Sequence, residues 1–164
     1  MDIETTIERA RELRDKDELE LSQELLLKLL AEHPDDPLVL FEVGGSYDVM
    51  GREDTAIPYY RQAIDEGLEG EDLQECLVCL GSCLRVVGQA AEAVEALEEA
   101  VEDFPEDNSG KAFLALAYYS NGQHRDAVQL LLELLLETTE DEDILAYEDP
   151  LSYYKDNLDE RFAA

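Results

Sequence analysis

Apolar residues recur at three- and four-residue steps along most of the chain, the pattern of helices that bury one stripe. Leu40, Val43, Gly44 and Tyr47 lead to Gly51, and Ala56, Tyr60 and Ala63 follow it. The same order returns as Leu77, Leu80, Gly81 and Leu84 before Gly88, then Ala93, Leu97, Ala100 and Pro105. A third copy runs Leu114, Ala115 and Tyr118 before Gly122, then Ala127 and Leu131. Each copy predicts a helical hairpin whose first helix ends at the glycine, where a left-handed backbone residue is needed. Gly44, Gly81 and Ala115 stand where the first helix must approach the second, opposite Ala56, Ala93 and Ala127. Gly51 and Gly88 lie 37 positions apart, Gly88 and Gly122 only 34. The extra residues are expected in the glycine-bearing loop around 67–70, where an insertion is cheap. One hairpin cannot cover its own apolar face, so the units must stack.

The ends are less regular. Ile3, Ile7, Ala10 and Leu13 predict a helix over residues 3–14, and Leu21, Leu25, Leu26, Leu29 and Leu30 predict another over 18–32. His33-Pro34-Asp35-Asp36 closes this pair as Phe104-Pro105-Glu106-Asp107 closes a later one, which makes 1–36 a degenerate unit without glycines. Beyond the acidic connector 140–143, Ile144, Tyr147, Leu151, Tyr154 and Leu158 keep helical spacing, with Phe162 one turn further on. Pro150 predicts either a kink or a new helix capped by Asp149. The leucines of 130–136 exceed what one partner helix can cover, so this segment is expected to cap the stack; folding back into the groove is the alternative.

The repeated pattern resembles the tetratricopeptide repeat, a 34-residue helix-turn-helix unit. The first copy matches it best. The second has Leu84 and Leu97 for the two aromatics, and the third has Ala115 for the glycine and no closing proline. Gly-Arg-x-x-x-Ala-Ile-Pro-x-Tyr at 51–60 and Gly-Gln-His-x-x-Ala-Val at 122–128 are most similar to small bacterial proteins of this type. The resemblance implies an all-α, right-handed α-solenoid of about four hairpins plus a C-terminal capping helix. The expected division is one domain over 1–164, with a degenerate repeat at 1–36, repeats at 37–73, 74–107 and 108–139, and a capping segment at 140–164.

Charge narrows the partners. The 164 residues hold 42 acidic and 12 basic side chains, a net charge of -30. The excess is spread over both halves, so it belongs to the whole surface. Nucleic acid and anionic membrane surfaces are excluded as partners by repulsion. The N-terminus lacks a basic start and an apolar stretch, and no run is long enough to span a bilayer, which points to a cytoplasmic protein.

Chemistry finds little to stand on. Cys76, Cys79 and Cys83 share one helix, and a rigid helix cannot wrap a tetrahedral zinc. Core packing is the favoured reading of these thiols, with a thiol or metal role as the weaker alternative. His33 and His124 fall in different units with no triad partner. Gly44-Gly45-Ser46 lies inside a helix and has no lysine, so it is no phosphate loop. No enzyme activity, cofactor or metal is expected.

What remains is the concave side. The resemblance implies that first helices line it, through Phe41, Glu42, Gly45 and Asp48, then Val78, Cys79, Ser82 and Arg85, then Phe113, Leu116 and Tyr119. A subclass of the family clamps chaperone C-termini with Lys, Asn and Arg, and those places here hold Phe41, Gly45, Cys79, Ser109 and Phe113. The expected function is therefore to bind a peptide or helix of a partner protein, apolar or amphipathic, in a groove with an apolar middle. Self-association is the alternative.

Overall fold

A computed structural model describes residues 2–161, so Phe162 lies outside the described residues. The described chain is helical throughout, with α1 (Ile3–Asp15), α2 (Leu19–Glu32), α3 (Pro37–Asp48), α4 (Glu53–Asp65), α5 (Gly70–Val86), α6 (Ala90–Asp103), α7 (Asn108–Ser120), α8 (His124–Thr138), α9 (Glu142–Leu145) and α10 (Glu148–Asp156). Consecutive helices pair as hairpins, and each hairpin stacks on the next. First helices also meet one another, α1 with α3, α3 with α5 and α5 with α7. That sequence of neighbours makes a solenoid with α1, α3, α5 and α7 along one side.

Local chemistry sets the helix ends. Asp36 and Asp107 cap α3 and α7, their carboxylates accepting from Leu38 and Val39, and from Ser109 and Gly110. Gly51, Gly88 and Gly122 have φ of 70°, 86° and 78°, so each first helix stops in the left-handed conformation. The α1–α2 hairpin keeps the same 34-residue spacing. Asp17, 34 residues before Gly51, has φ 63° and takes the glycine's place; Asp tolerates this region better than most residues. Ala10 stands 34 residues before Gly44 and is buried, and Ser22 stands 34 before Ala56 and donates from Oγ to the Ala10 carbonyl at 2.7 Å.

The small residues do what the pattern predicts. A Cβ at Gly81 would lie 2.3 Å from Leu97 Cγ, and one at Gly44 would lie 2.8 Å from the Tyr60 ring. Cys76 and Cys83 are fully buried in the central core with Leu77, Leu84, Ala93 and Leu97.

Three expectations need correction. The insertion is not in the loop: 66–69 spans the same four positions as 104–107, and the extra length is an added N-terminal turn of α5, which runs 17 residues against 12 for α3 and 13 for α7. Asp149 caps nothing; the chain breaks at Ala146–Tyr147, and Pro150 sits in the first turn of α10, where its missing N–H costs no bond. The C-terminal segment does pack on α8, as a cap would, and leaves Leu116 and Tyr119 of α7 exposed. It buries less than its spacing promised: Ile144, Leu151 and Leu158 are half-buried, while Tyr147 and Tyr154 are exposed. The break shifts the stripe, so residues in register on paper fall on different helices.

Candidate interaction groove

The side formed by the first helices holds a hollow of about 420 Å³ where α1, α3 and α5 converge. Phe41 and Glu42 form its floor, Gly45 and Asp48 continue along α3, and Glu71, Asp72, Glu75 and Cys79 form the α5 wall. Phe41 is a core residue, 5% exposed, whose ring lies 6.0 Å from that of Tyr60. Tyr60 in turn donates from its hydroxyl to Asp48 Oδ2 at 2.9 Å, which fixes that carboxylate at the rim.

Glu42 is 3% exposed, and a carboxylate so deep needs cations. Arg11 Nε donates to its Oε1 at 2.7 Å, and Nη2 of the same guanidinium also meets that oxygen. Arg14 Nη1 reaches Oε2 at 3.5 Å. Gly45 makes room for this arrangement: a Cβ there would stand 3.5 Å from Arg14 Nη1. Burial works against the Arg11 charge, but the Glu42 hydrogen bond and the nearby carboxylates of Glu42, Asp72 and Glu75 outweigh it, and its pKa rises. The middle of the groove is therefore charged, and not apolar as the sequence suggested. Arg11 and Arg14 were invisible as groove residues because the degenerate first unit gave no register. Their one signal is an i, i+3 pair of arginines on a strongly acidic chain.

A second hollow of similar size lies between α5 and α7, lined by Glu71, Gln74, Glu75, Val78, Cys79, Asp107 and Ser109. Glu71 and Glu75 thus form a ridge between the two. Both hollows carry more carboxylate than cation. The added turn of α5 is what brings Glu71 and Asp72 into place, so the one irregular spacing in the repeat supplies groove charge.

Phe41, Glu42, Gly45, Asp48 and Cys79 are brought together in the first hollow, and Val78 joins Cys79 in the second. Ser82, Arg85, Phe113, Leu116 and Tyr119 line neither. Ser82 is half-buried, and Arg85 is half-buried with its Nε enclosed and without a hydrogen-bond partner among the described residues. Phe113 packs on the core edge, while Leu116 and Tyr119 are 45% and 65% exposed. Tyr119 leans on the His124 ring, centroids 4.9 Å apart, which gives that histidine a packing contact at the start of α8.

The thiols are suppressed. Burial first, then the Asp48 and Glu75 carboxylates, pushes Cys79 up to about 12. Cys76 and Cys83 are raised as well, again chiefly by burial. Thiolate is the reactive and metal-binding form, so these side chains are poor nucleophiles and poor ligands at neutral pH. Among the described residues no three His, Cys, Asp or Glu side chains group as a metal site. No helix of the described residues is long and apolar enough to cross a membrane.

The stacked hairpins, with their first helices along one side, define a helical-repeat scaffold. The family profile described as Tetratrico peptide repeat matches residues 37–141, and the chain belongs to that family. It is similar in fold to MamA, residues 41 to the end, from Desulfovibrio magneticus RS-1, with 16% identity, TM-score 0.73, and coverage of 94% of this chain and 85% of that one. It is also similar to YrrB, described as a TPR protein with an unusual peptide-binding site, with 20% identity, TM-score 0.73, and coverage of 96% and 80%. No curated protein sequence matches the chain. The family is a non-enzymatic repeat scaffold, and its fold supports protein–protein interaction.

Proposed function

We propose that this chain is a non-enzymatic, cytoplasmic interaction module, a single domain over residues 1–164, that holds a peptide or helix of a partner protein on its concave face. The observation that carries the reading is the hollow of about 420 Å³ whose walls come from three consecutive first helices. A surface shared by several units can grip an extended segment that no single hairpin could reach. YrrB, which shares the fold, is described as having a peptide-binding site; that fits the reading without locating a site here.

The test is selection of partners from a random peptide display library, followed by competition against groove variants. Gly45→Arg would fill the first hollow, and because a Cβ there stands 3.5 Å from Arg14 Nη1, a thermal melt must show that the variant is folded. Phe41→Ala is unsuitable, because Phe41 packs on Tyr60 and its loss would damage the fold. Selected peptides should lose binding to Gly45→Arg and keep it with Glu95→Gln on α6. Peptides indifferent to Gly45→Arg would place the interaction elsewhere.

Self-association is the second reading. It is favoured by Val128, Leu131 and Leu135 on α8 and by Tyr147 and Tyr154, all left exposed. Sedimentation velocity over a dilution series separates the two.

A further inference from the structure

We propose that the segment held on the concave face is basic and amphipathic, with Lys or Arg side chains seated against the α5 ridge of Glu71 and Glu75 and apolar side chains laid on Leu116 and Tyr119 of α7. This rests on the peptide-binding reading above and names the chemistry of the partner.

The ridge is the first support. Glu71 and Glu75 stand four apart on one helix face, an arrangement that costs a few tenths of a kcal/mol through like-charge repulsion. The fold neutralises them only in part. Arg11 pairs with Glu42, stands 3.9 Å from Asp72 and feels the Glu75 carboxylate, and Arg14 reaches Glu42; neither Glu71 nor Glu75 has an ion-pair partner among the described residues. The second hollow, on the far side of the same ridge, is lined by further carboxylate and by no Lys or Arg. A neutral or acidic segment laid here would desolvate these carboxylates without compensation, whereas a basic one supplies the missing charge.

The apolar end is independent of charge. In the register of the repeat, Leu116 and Tyr119 occupy the positions of Gly45 and Asp48 in the earlier unit. They remain exposed because the next helices, α9 and α10, add no first helix beside α7; α10 packs on α8 instead. α5 and α7 are neighbours, and packed helices lie about 8–10 Å apart. A helical segment of about twelve residues, some 18 Å long, spans both regions.

The probe is a fluorescein-labelled peptide of about that length, with lysines in its first half and leucines in its second. One companion carries Glu in place of Lys, and a second carries Gln in place of Lys. Binding to the full chain is read by fluorescence anisotropy. The basic peptide is expected to bind, and the Glu form not to. The double variant Glu71→Gln/Glu75→Gln should weaken the basic peptide about tenfold, and Leu116→Ser/Tyr119→Ser by a similar factor. Glu95→Gln/Glu99→Gln removes the same charge from the exposed face of α6 and should change affinity less than about twofold. Far-UV circular dichroism melts confirm that each variant is folded. If the α6 pair weakens binding as much as the α5 pair, attraction is to the bulk charge and the proposal fails. If the Gln peptide binds as tightly as the basic one and still depends on Tyr119, the groove reading survives and the basic chemistry falls. If no peptide responds to any groove substitution, both fall.

Discussion

The close crossing of α5 and α6 at Gly81 offers a sharp test. Gly81 on α5 faces Leu97 on α6, and a Cβ added at Gly81 would lie 2.3 Å from Leu97 Cγ and 2.7 and 2.9 Å from its two methyl carbons. Carbon atoms in favourable contact sit about 3.5–4.0 Å apart, so one partner must move by more than an ångström. Leu97 has nowhere to go, being 0% exposed in the central core that also holds Cys83 and Leu84. In an unobstructed helix interior, Gly→Ala stabilises by about 0.5–1 kcal/mol. Here overpacking should reverse the sign, so that Gly81→Ala costs about 1–3 kcal/mol. For a chain of this size that lowers Tm by roughly 2–12 °C. Gly44→Ala, where the Cβ would sit 2.8 Å from the Tyr60 ring, should cost less. Glu95→Ala on the exposed face of α6 should fall within about 0.5 kcal/mol. The decisive measurement is a double-mutant cycle by urea unfolding. Leu97→Ala alone should cost about 2–5 kcal/mol. Adding Gly81→Ala to it should cost at least about 1 kcal/mol less than in the parent, because the new methyl enters the vacated space. A neutral or stabilising Gly81→Ala, or two effects that simply add, would refute the close crossing of α5 and α6.

Other consequences can be measured alongside. Asp17→Gly should raise Tm, by an amount equivalent to about 0.5–1 kcal/mol, since glycine accepts the left-handed conformation that Asp17 adopts at φ 63°; an unchanged or lower Tm contradicts this. Removing both Arg11 and Arg14 by alanine should cost about 2–3 kcal/mol by leaving buried Glu42 without cations, and adding Glu42→Gln should recover part of it in thermal melts. Because the Cys79 thiol is held protonated up to about 12, against about 8.5 in an unfolded chain, its contribution is full below pH 8.5 and is lost as pH rises towards 12. Tm should therefore fall progressively above pH 8.5, less so in Cys79→Ala, and thiol labelling at pH 8 should be slow until the protein is unfolded. Truncation after Thr139 removes the half-buried Leu151 and Leu158 and the bond from Gln129 Nε2 to Asp156 Oδ1 at 3.0 Å, so Tm should drop and association should appear by light scattering; an equally stable monomer would make the segment a mere tail.

The hairpins, their stacking and their close crossings were legible in the chain because each rests on a local rule repeated at fixed spacing. Gly51, Gly88 and Gly122 announce left-handed helix ends, and Gly44 and Gly81 announce contact, because few other residues can occupy those places. The same rule, once the structure supplied the register, exposes Ala10, Asp17 and Ser22 as a unit whose glycines had been replaced. Phe41 and Glu42 line the first hollow, yet their depth was not legible: burial depends on neighbouring units, and periodicity reports only the face of one helix. The charged middle of the groove, the added turn of α5 and the exposed tyrosines of the C-terminal segment all escaped sequence reasoning. Arg11 meets Glu42 across 31 positions, Glu71 enters the groove because the extra residues were helical instead of looped, and Tyr147 leaves the stripe because the helix breaks beside it. Local propensity and spacing fix which residues form each helix; only packing between distant units decides which side chains share a site, and at what depth.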